Sequence, residues 1–199
     1  MLTLAFDTAT SAATSALVRD GDVLAEGVSR AVRILADAEE LLEQANAKPR
    51  DVQQLVVGTG PGSFTGVRMG LAAARSLAFA LELPLAGVST LDALAAGAPG
   101  SLPVIDAGRR EIFTLADSRR RPVALAPGEL RLEPGTLCVG DGALRYREVL
   151  EALGAEVPPR ESELHLPRAR FHVQLATEFV EPDAVEPLYL RLPDAEQKR

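Results

Sequence analysis

The order of strand and helix signals in this chain predicts an α/β protein whose second half repeats the first in reduced form. Three observations predict it. From Leu2 to Val88 the signals run strand, strand, strand, helix, strand, helix, strand. The glycine-rich run Gly58-Thr59-Gly60-Pro61-Gly62 joins the fourth strand to the longest helix, and the strand, Asp, turn, strand pattern of the N-terminus returns at Val104 to Asp117.

Taken in order, Leu2 to Phe6 reads as a strand that ends in the small polar turn Asp7-Thr8-Ala9-Thr10-Ser11. Thr14 to Arg19 is the next strand, and Asp20-Gly21 is a two-residue hairpin signal that returns the chain along Val23 to Val28. Leu35, Ala38, Leu41, Leu42 and Ala45 then recur at helical spacing with acidic residues between them, which predicts an amphipathic helix over Ala31 to Ala47, ended by Pro49. Leu55 to Val57 is a short apolar strand halted by glycines. Ser63 suits the N-cap of a helix from Thr65 to Leu81, a proline-free segment rich in Ala and Leu. Pro84 to Val88 gives a strand, and Ser89-Thr90 caps a helix over Leu91 to Ala96. This order is that of ribonuclease H-like folds.

Ala98-Pro99-Gly100-Ser101 is a break in composition, and it divides the chain into domains 1–98 and 99–199. Beyond it, the repeated strand pattern is followed by a strand at Thr136 to Val139, the turn Gly140-Asp141-Gly142, a helix over Leu144 to Leu153 and a tail with a helix over Phe171 to Val180. Two such halves facing each other form the duplicated actin-like (ASKHA) architecture, here with a smaller second domain.

Composition narrows the function. The chain has 199 residues and a net charge of −7, which opposes autonomous binding to nucleic acid, and the absence of tryptophan with only two tyrosines leaves few groups to stack on bases. No apolar segment reaches membrane-spanning length and no basic region precedes the first apolar run, so a cytoplasmic protein is expected. Cys138, the single cysteine, lies in an apolar run and reads as a buried structural thiol. Arg119-Arg120-Arg121, close in sequence to Arg109-Arg110, is the one basic cluster and reads as a solvated hairpin before an RNA contact.

Gly66, Gly70, Ala74 and Ala78 recur every fourth residue and line one narrow helix face, with Met69, Ala73 and Leu77 beside them. Such a ridge suits burial within the subunit or the close approach of a partner helix, and the residues alone leave both open. On the partner reading, Gly70→Leu would block pairing and leave the monomer folded.

A glycine loop ahead of a helix also suggests phosphate binding. However, no lysine occurs between Lys48 and Lys198, and Ser63 stands where the dinucleotide pattern needs its third glycine. Asp7, Thr8, Gly60, Gly62, Ser63 and Asp106 are the residues a phosphate or nucleotide could touch. Asp7 and Asp106 occupy corresponding strand ends and could share a magnesium ion, although an Asp bonded within its own turn explains each as well. His165 and His172, the only histidines, fall in the tail and read as solvated, which leaves any nucleophile of the first half without a base and predicts no metal site.

Five blocks in order, Asp7-Thr8-Ala9-Thr10, Gly60-Pro61-Gly62-Ser63-Phe64-Thr65-Gly66-Val67-Arg68, Gly87-Val88-Ser89-Thr90-Leu91, Ile105-Asp106-Ala107 and Glu186-Pro187-Leu188-Tyr189-Leu190-Arg191, resemble the TsaB (YeaZ) family over nearly the whole chain. The resemblance implies a noncatalytic subunit, without cofactor or metal, in the formation of threonylcarbamoyladenosine at position 37 of tRNAs that read codons beginning with A. It implies a TsaD-like catalytic partner, a TsaE-like ATPase in the complex, a homodimer in isolation, tRNA reached only through the complex, and no membrane. It also implies that the helices at Ala31 to Ala47 and Gly66 to Ala80 meet the partner as a four-helix bundle, through Leu35, Ala38, Leu42, Gly66, Met69, Gly70, Ala73, Ala74 and Leu77. Arg30-Ala31 stands where the family usually carries His-Ser or His-Thr. The alternatives are an actin-like phosphotransferase with nucleotide and magnesium between Asp7, Gly60, Asp106 and Gly140, and a glycoprotease-like peptidase.

Overall fold

The computed structural model describes residues 1–116 and 121–190. Arg119, Arg120 and Arg191 therefore lie outside the described residues. The first sheet contains β1 (Leu2–Asp7), β2 (Ala13–Arg19), β3 (Asp22–Ser29), β4 (Gln54–Gly58) and β5 (Leu85–Val88) in the order β3-β2-β1-β4-β5. Asp20 and Gly21, both at positive φ, close the β2–β3 hairpin. β1 pairs parallel with β4, and β4 with β5, so each crossover needs a helix: α1 (Ile34–Gln44) and α2 (Phe64–Leu81).

Leu4, Phe6, Leu55 and Val57 face α1 and α2, whereas Ala5, Ala16 and Val56 face the opposite side. That opposite side is covered from the far end of the chain by α6 (Ala169–Leu175), through Ala169 and Val173. Burial on both faces is why the central strands read as uninterrupted apolar runs.

The second sheet contains β6 (Leu102–Gly108), β7 (Glu111–Ala116), β8 (Arg121–Leu125) and β9 (Cys138–Val139) in the order β8-β7-β6-β9. Its pairings, antiparallel, antiparallel and parallel, repeat those of β3-β2-β1-β4. This is the duplicated ribonuclease H-like fold expected from the sequence. The second copy is reduced, since α4 (Asp141–Arg145) and α5 (Arg147–Ala152) replace one long helix. α3 (Thr90–Gly97) packs on β6 and α6, and its Leu91 and Leu94 share a core with Ile105, Phe113 and Val139.

Several elements differ from the expected bounds. The first helix opens with a 3₁₀ turn at Ala31–Arg33, which has no side-chain cap. The helix expected over Leu144 to Leu153 breaks at Tyr146. The helix expected over Phe171 to Val180 stops at Leu175, because the chain turns extended at Ala176 and Val180 exchanges two 3.0 Å backbone hydrogen bonds with Leu85 on the β5 edge. Residues 169–190 thus return to the first sheet and cross the 1–98 and 99–199 division. No helix among the described residues is long and apolar enough to cross a membrane.

Candidate functional site

The turn after β1 is held in a cradle of glycines. Asp7 Oδ1 accepts the Ala9 N–H at 2.7 Å, so the carboxylate first closes its own turn. A Cβ on Gly58 would collide with the Asp7 carboxylate, one on Gly62 with the Ala9 carbonyl, one on Gly66 with the Thr8 carbonyl, and one on Gly70 with the Thr8 hydroxyl. Four glycines at four-residue spacing therefore all meet one three-residue turn. Thr8 Oγ1 donates to the Gly66 carbonyl at 2.7 Å, and the Ser63 N–H donates to the Ala9 carbonyl at 2.7 Å. Ser63 also caps α2 as expected, its hydroxyl accepting the Gly66 N–H.

The second oxygen of Asp7 is equally occupied. Oδ2 accepts the Thr90 hydroxyl at 2.6 Å, and His172 Nε2 lies 2.8 Å away. A carboxylate can only accept, so the imidazole donates. All three side chains are fully buried.

The expectation that His172 is solvated is thus corrected: α6 carries it beneath the first sheet to satisfy a buried charge. His165 is also buried, with Nδ1 accepting the Gly140 N–H at 3.1 Å and Nε2 donating to the Pro158 carbonyl at 3.1 Å. No local pattern around either histidine announces Asp7 or Gly140, which are 165 and 25 residues away in sequence.

The chemistry of the Asp7 cluster is that of a clasp. In a hydrolytic triad the imidazole stands between hydroxyl and carboxylate and takes the hydroxyl proton. Here the carboxylate stands in the middle, and Thr90 donates to it. The residues do not fit a magnesium nucleotide either, because both Asp7 oxygens are taken by protein donors and Gly62 and Ser63 are spent on the Ala9 backbone. Gly60, at positive φ, faces Val67 and the Leu188 carbonyl. Among the described residues there is no cluster of three metal-ligating side chains.

Asp106, the counterpart of Asp7, is built differently. Oδ1 accepts the Gly108 N–H at 3.0 Å, and Oδ2 pairs with Arg145 at 2.6 Å beside Tyr146. The sequence reading missed Asp141, which bridges the two halves: Oδ1 accepts the Asp106 N–H at 3.0 Å and Oδ2 accepts the Ser11 N–H at 3.3 Å. Burial pushes the Asp141 carboxyl above the usual range, the nearby Asp106 charge adds to this, and the backbone donors oppose it. Cys138 is buried as expected, and burial pushes its thiol up to about 11, which keeps it unreactive at neutral pH.

The expected partner residues divide between two faces. Gly66, Gly70 and Ala74 are buried against their own subunit, and Ala38 and Leu42 lie in the core between α1 and the sheet. Within the folded chain the Thr8 turn and the apolar sheet fill the space these five face. Met69, Ala73 and Leu77 are half-buried, and Leu35 is 55% exposed.

Outward, α2 shows a crest of small residues, Thr65, Ala72, Ser76 and Ala80. Val32 (78% exposed) and Leu35 add apolar surface beside it, as does Phe79 (82%) near the helix end. The small-residue ridge of the sequence reading and the surface available to a partner are therefore opposite sides of one helix.

A family model described as TsaD: tRNA N6-adenosine threonylcarbamoyltransferase matches residues 14–125. The Escherichia coli tRNA threonylcarbamoyladenosine biosynthesis protein TsaB is 33% identical over 222 residues, covering 96% of this chain and 95% of that protein. The chain belongs to the TsaB (YeaZ) family. An uncharacterized protein of Mycobacterium tuberculosis is 37% identical over 202 residues, covering 96% of this chain and 92% of its own. The solved structure of YeaZ from Pseudomonas aeruginosa superposes with a TM-score of 0.77 at 27% identity, over 95% of this chain and 99% of the other. The fold of this TsaB-family chain and its five sequence blocks thus agree on one family.

Proposed function

We propose that this TsaB-family chain is a noncatalytic subunit in threonylcarbamoyladenosine biosynthesis, acting in the cytoplasm through a TsaD-like enzyme that transfers the threonylcarbamoyl group to N6 of adenosine 37. The observation that carries the proposal is the outward α1–α2 face, with small residues along its crest and exposed Val32 and Leu35 beside it. Small residues let a second pair of helices approach closely, and the apolar flank supplies area to bury. The interface residues are Leu35, Met69, Ala73 and Leu77 together with the crest. Without its catalytic partner the same face pairs with a second copy, and the TsaE-like ATPase and tRNA join only the assembled complex. The closed Asp7 cluster supports this reading over the phosphotransferase and peptidase alternatives.

The test is the solution mass of this chain, of the TsaD-like protein from the same source and of their mixture, alongside threonylcarbamoyl transfer to tRNA. A mixed complex that is required for transfer is expected, with no transfer by this chain alone. Ser76→Arg should abolish the mixed complex and shift the stability of the isolated chain by less than about 0.5 kcal/mol, as surface substitutions do. Transfer by the chain alone, or a mixture in which each protein keeps its own mass, overturns the proposal.

A further inference from the structure

Arg68 projects from the exposed side of α2, one turn after the helix start. Its guanidinium lies 3.8 Å over the Phe64 ring and 6.0 Å from the Tyr189 ring, and its Nε donates to the Tyr189 hydroxyl at 3.0 Å. The two rings are themselves 5.3 Å apart, and both remain partly exposed. Tyr189 is brought there by the C-terminal strap, whose Leu188 N–H bonds the Thr59 carbonyl at 2.9 Å and whose Val185 carbonyl accepts from Arg75 at 2.5 Å.

Exposed arginines of this chain fall into two groups: Arg33 pairs with Asp37 and Glu40 and Arg145 with Asp106, whereas Arg30 and Arg50 form no ion pair among the described residues, and neither of these is held by aromatic rings as Arg68 is. In a chain of net charge −7, carboxylates are in excess, yet among the described residues none pairs with Arg68. Its Nε is used to fix the side chain, and the forked end is left free to donate two parallel hydrogen bonds. Arg, Tyr and Phe are also the residue types over-represented in interface cores.

We infer that Arg68, gripped between Phe64 and Tyr189, is a docking point for a carboxylate on the protein that covers the α1–α2 face. The inference rests on the proposed function, because the cluster borders the crest residues Thr65 and Ala72 and would be reached by the same partner. A stacked guanidinium loses little freedom on binding, so the contact adds affinity and fixes the partner's position along the helices.

The test is a binding titration of the full chain with the TsaD-like protein at low and moderate salt. Arg68→Gln should weaken binding at least tenfold at low salt and flatten its salt dependence, Arg68→Lys should recover only part of the loss, and Tyr189→Phe should cost a few-fold. Wild-type chain that fails to bind refutes the proposed function before any variant is compared. Wild-type binding with undiminished affinity for Arg68→Gln overturns the docking point alone, as does a loss confined to tRNA retention by the assembled complex.

Discussion

The two halves of the molecule place the same strand, Asp, turn pattern in opposite settings. Asp7 is sealed, with each oxygen taken by buried donors and four glycines closing over its turn. Asp106 is partly open to solvent and leans on Arg145, whose side chain is more than half exposed. The sealed copy sits directly beneath α2 and holds the helix against the turn after β1 through the Thr8 and Ala9 carbonyls and the Thr8 hydroxyl. The open copy sits where the halves meet, and Asp141 reaches across to Ser11. Duplication has therefore yielded one copy whose turn is sealed beneath α2 and one whose turn stays open, the two joined by the apolar core that α3 shares with the second sheet, by α6 packed on the first sheet, and by polar bonds such as Asp141 to Ser11.

The strongest way to break this contrast is Gly70→Leu. Leucine favours helix over glycine by about 1 kcal/mol, but the new side chain enters the space of the buried Thr8 hydroxyl and forces overpacking together with loss of the Thr8–Gly66 hydrogen bond. A net loss of about 3–5 kcal/mol in urea unfolding is expected, the reverse of the sequence-based expectation that the subunit stays folded. A variant with wild-type stability would mean that the cradle is not part of the core.

Next in size is the comparison of Asp7→Asn with Asp106→Asn. The first leaves three buried donors facing a group that can no longer accept from all of them, for about 2–4 kcal/mol. The second removes a solvent-screened ion pair and should cost clearly less. Equal losses in matched unfolding curves would erase the distinction between the halves.

Much of this was legible in the sequence. The strand order, the Asp20-Gly21 hairpin, the Ser63 cap and the repeat at Val104 to Asp117 depend on local spacing and turn chemistry, which a linear reading captures. The small-residue face at Gly66, Gly70 and Ala74 was legible too, but its direction was not. A stripe without side chains reads the same whether a neighbouring turn or another subunit fills it, and only the position of Thr8, 58 residues from Gly66, decides. His172 was misread for the same reason. Its partner Asp7 stands at the other end of the chain, and nothing adjacent in sequence marks a buried imidazole. The end of α6 at Leu175 was missed because a tertiary bond, Val180 to Leu85, overrides a segment that could otherwise continue as helix.

The smallest effect expected is a change of slope with pH, and it tests the open half. The half-buried carboxyl of Asp141 holds its proton more tightly in the folded chain than in the unfolded one, where its ordinary value is 3.8. Between that value and the raised one, the folded state binds more protons, so this group lowers stability as pH rises through the window, and its penalty is complete above it. Asp141→Asn removes the titration. It also loses one of the two acceptors that meet Ser11 and Asp106, which costs about 1 kcal/mol at low pH, where the wild-type group is neutral as well. The difference between wild type and variant should then shrink as pH increases from below 4 towards neutrality. Parallel curves over that range would mean that Asp141 is as well solvated as an ordinary surface carboxylate, and that the halves are not linked through a partly desolvated charge.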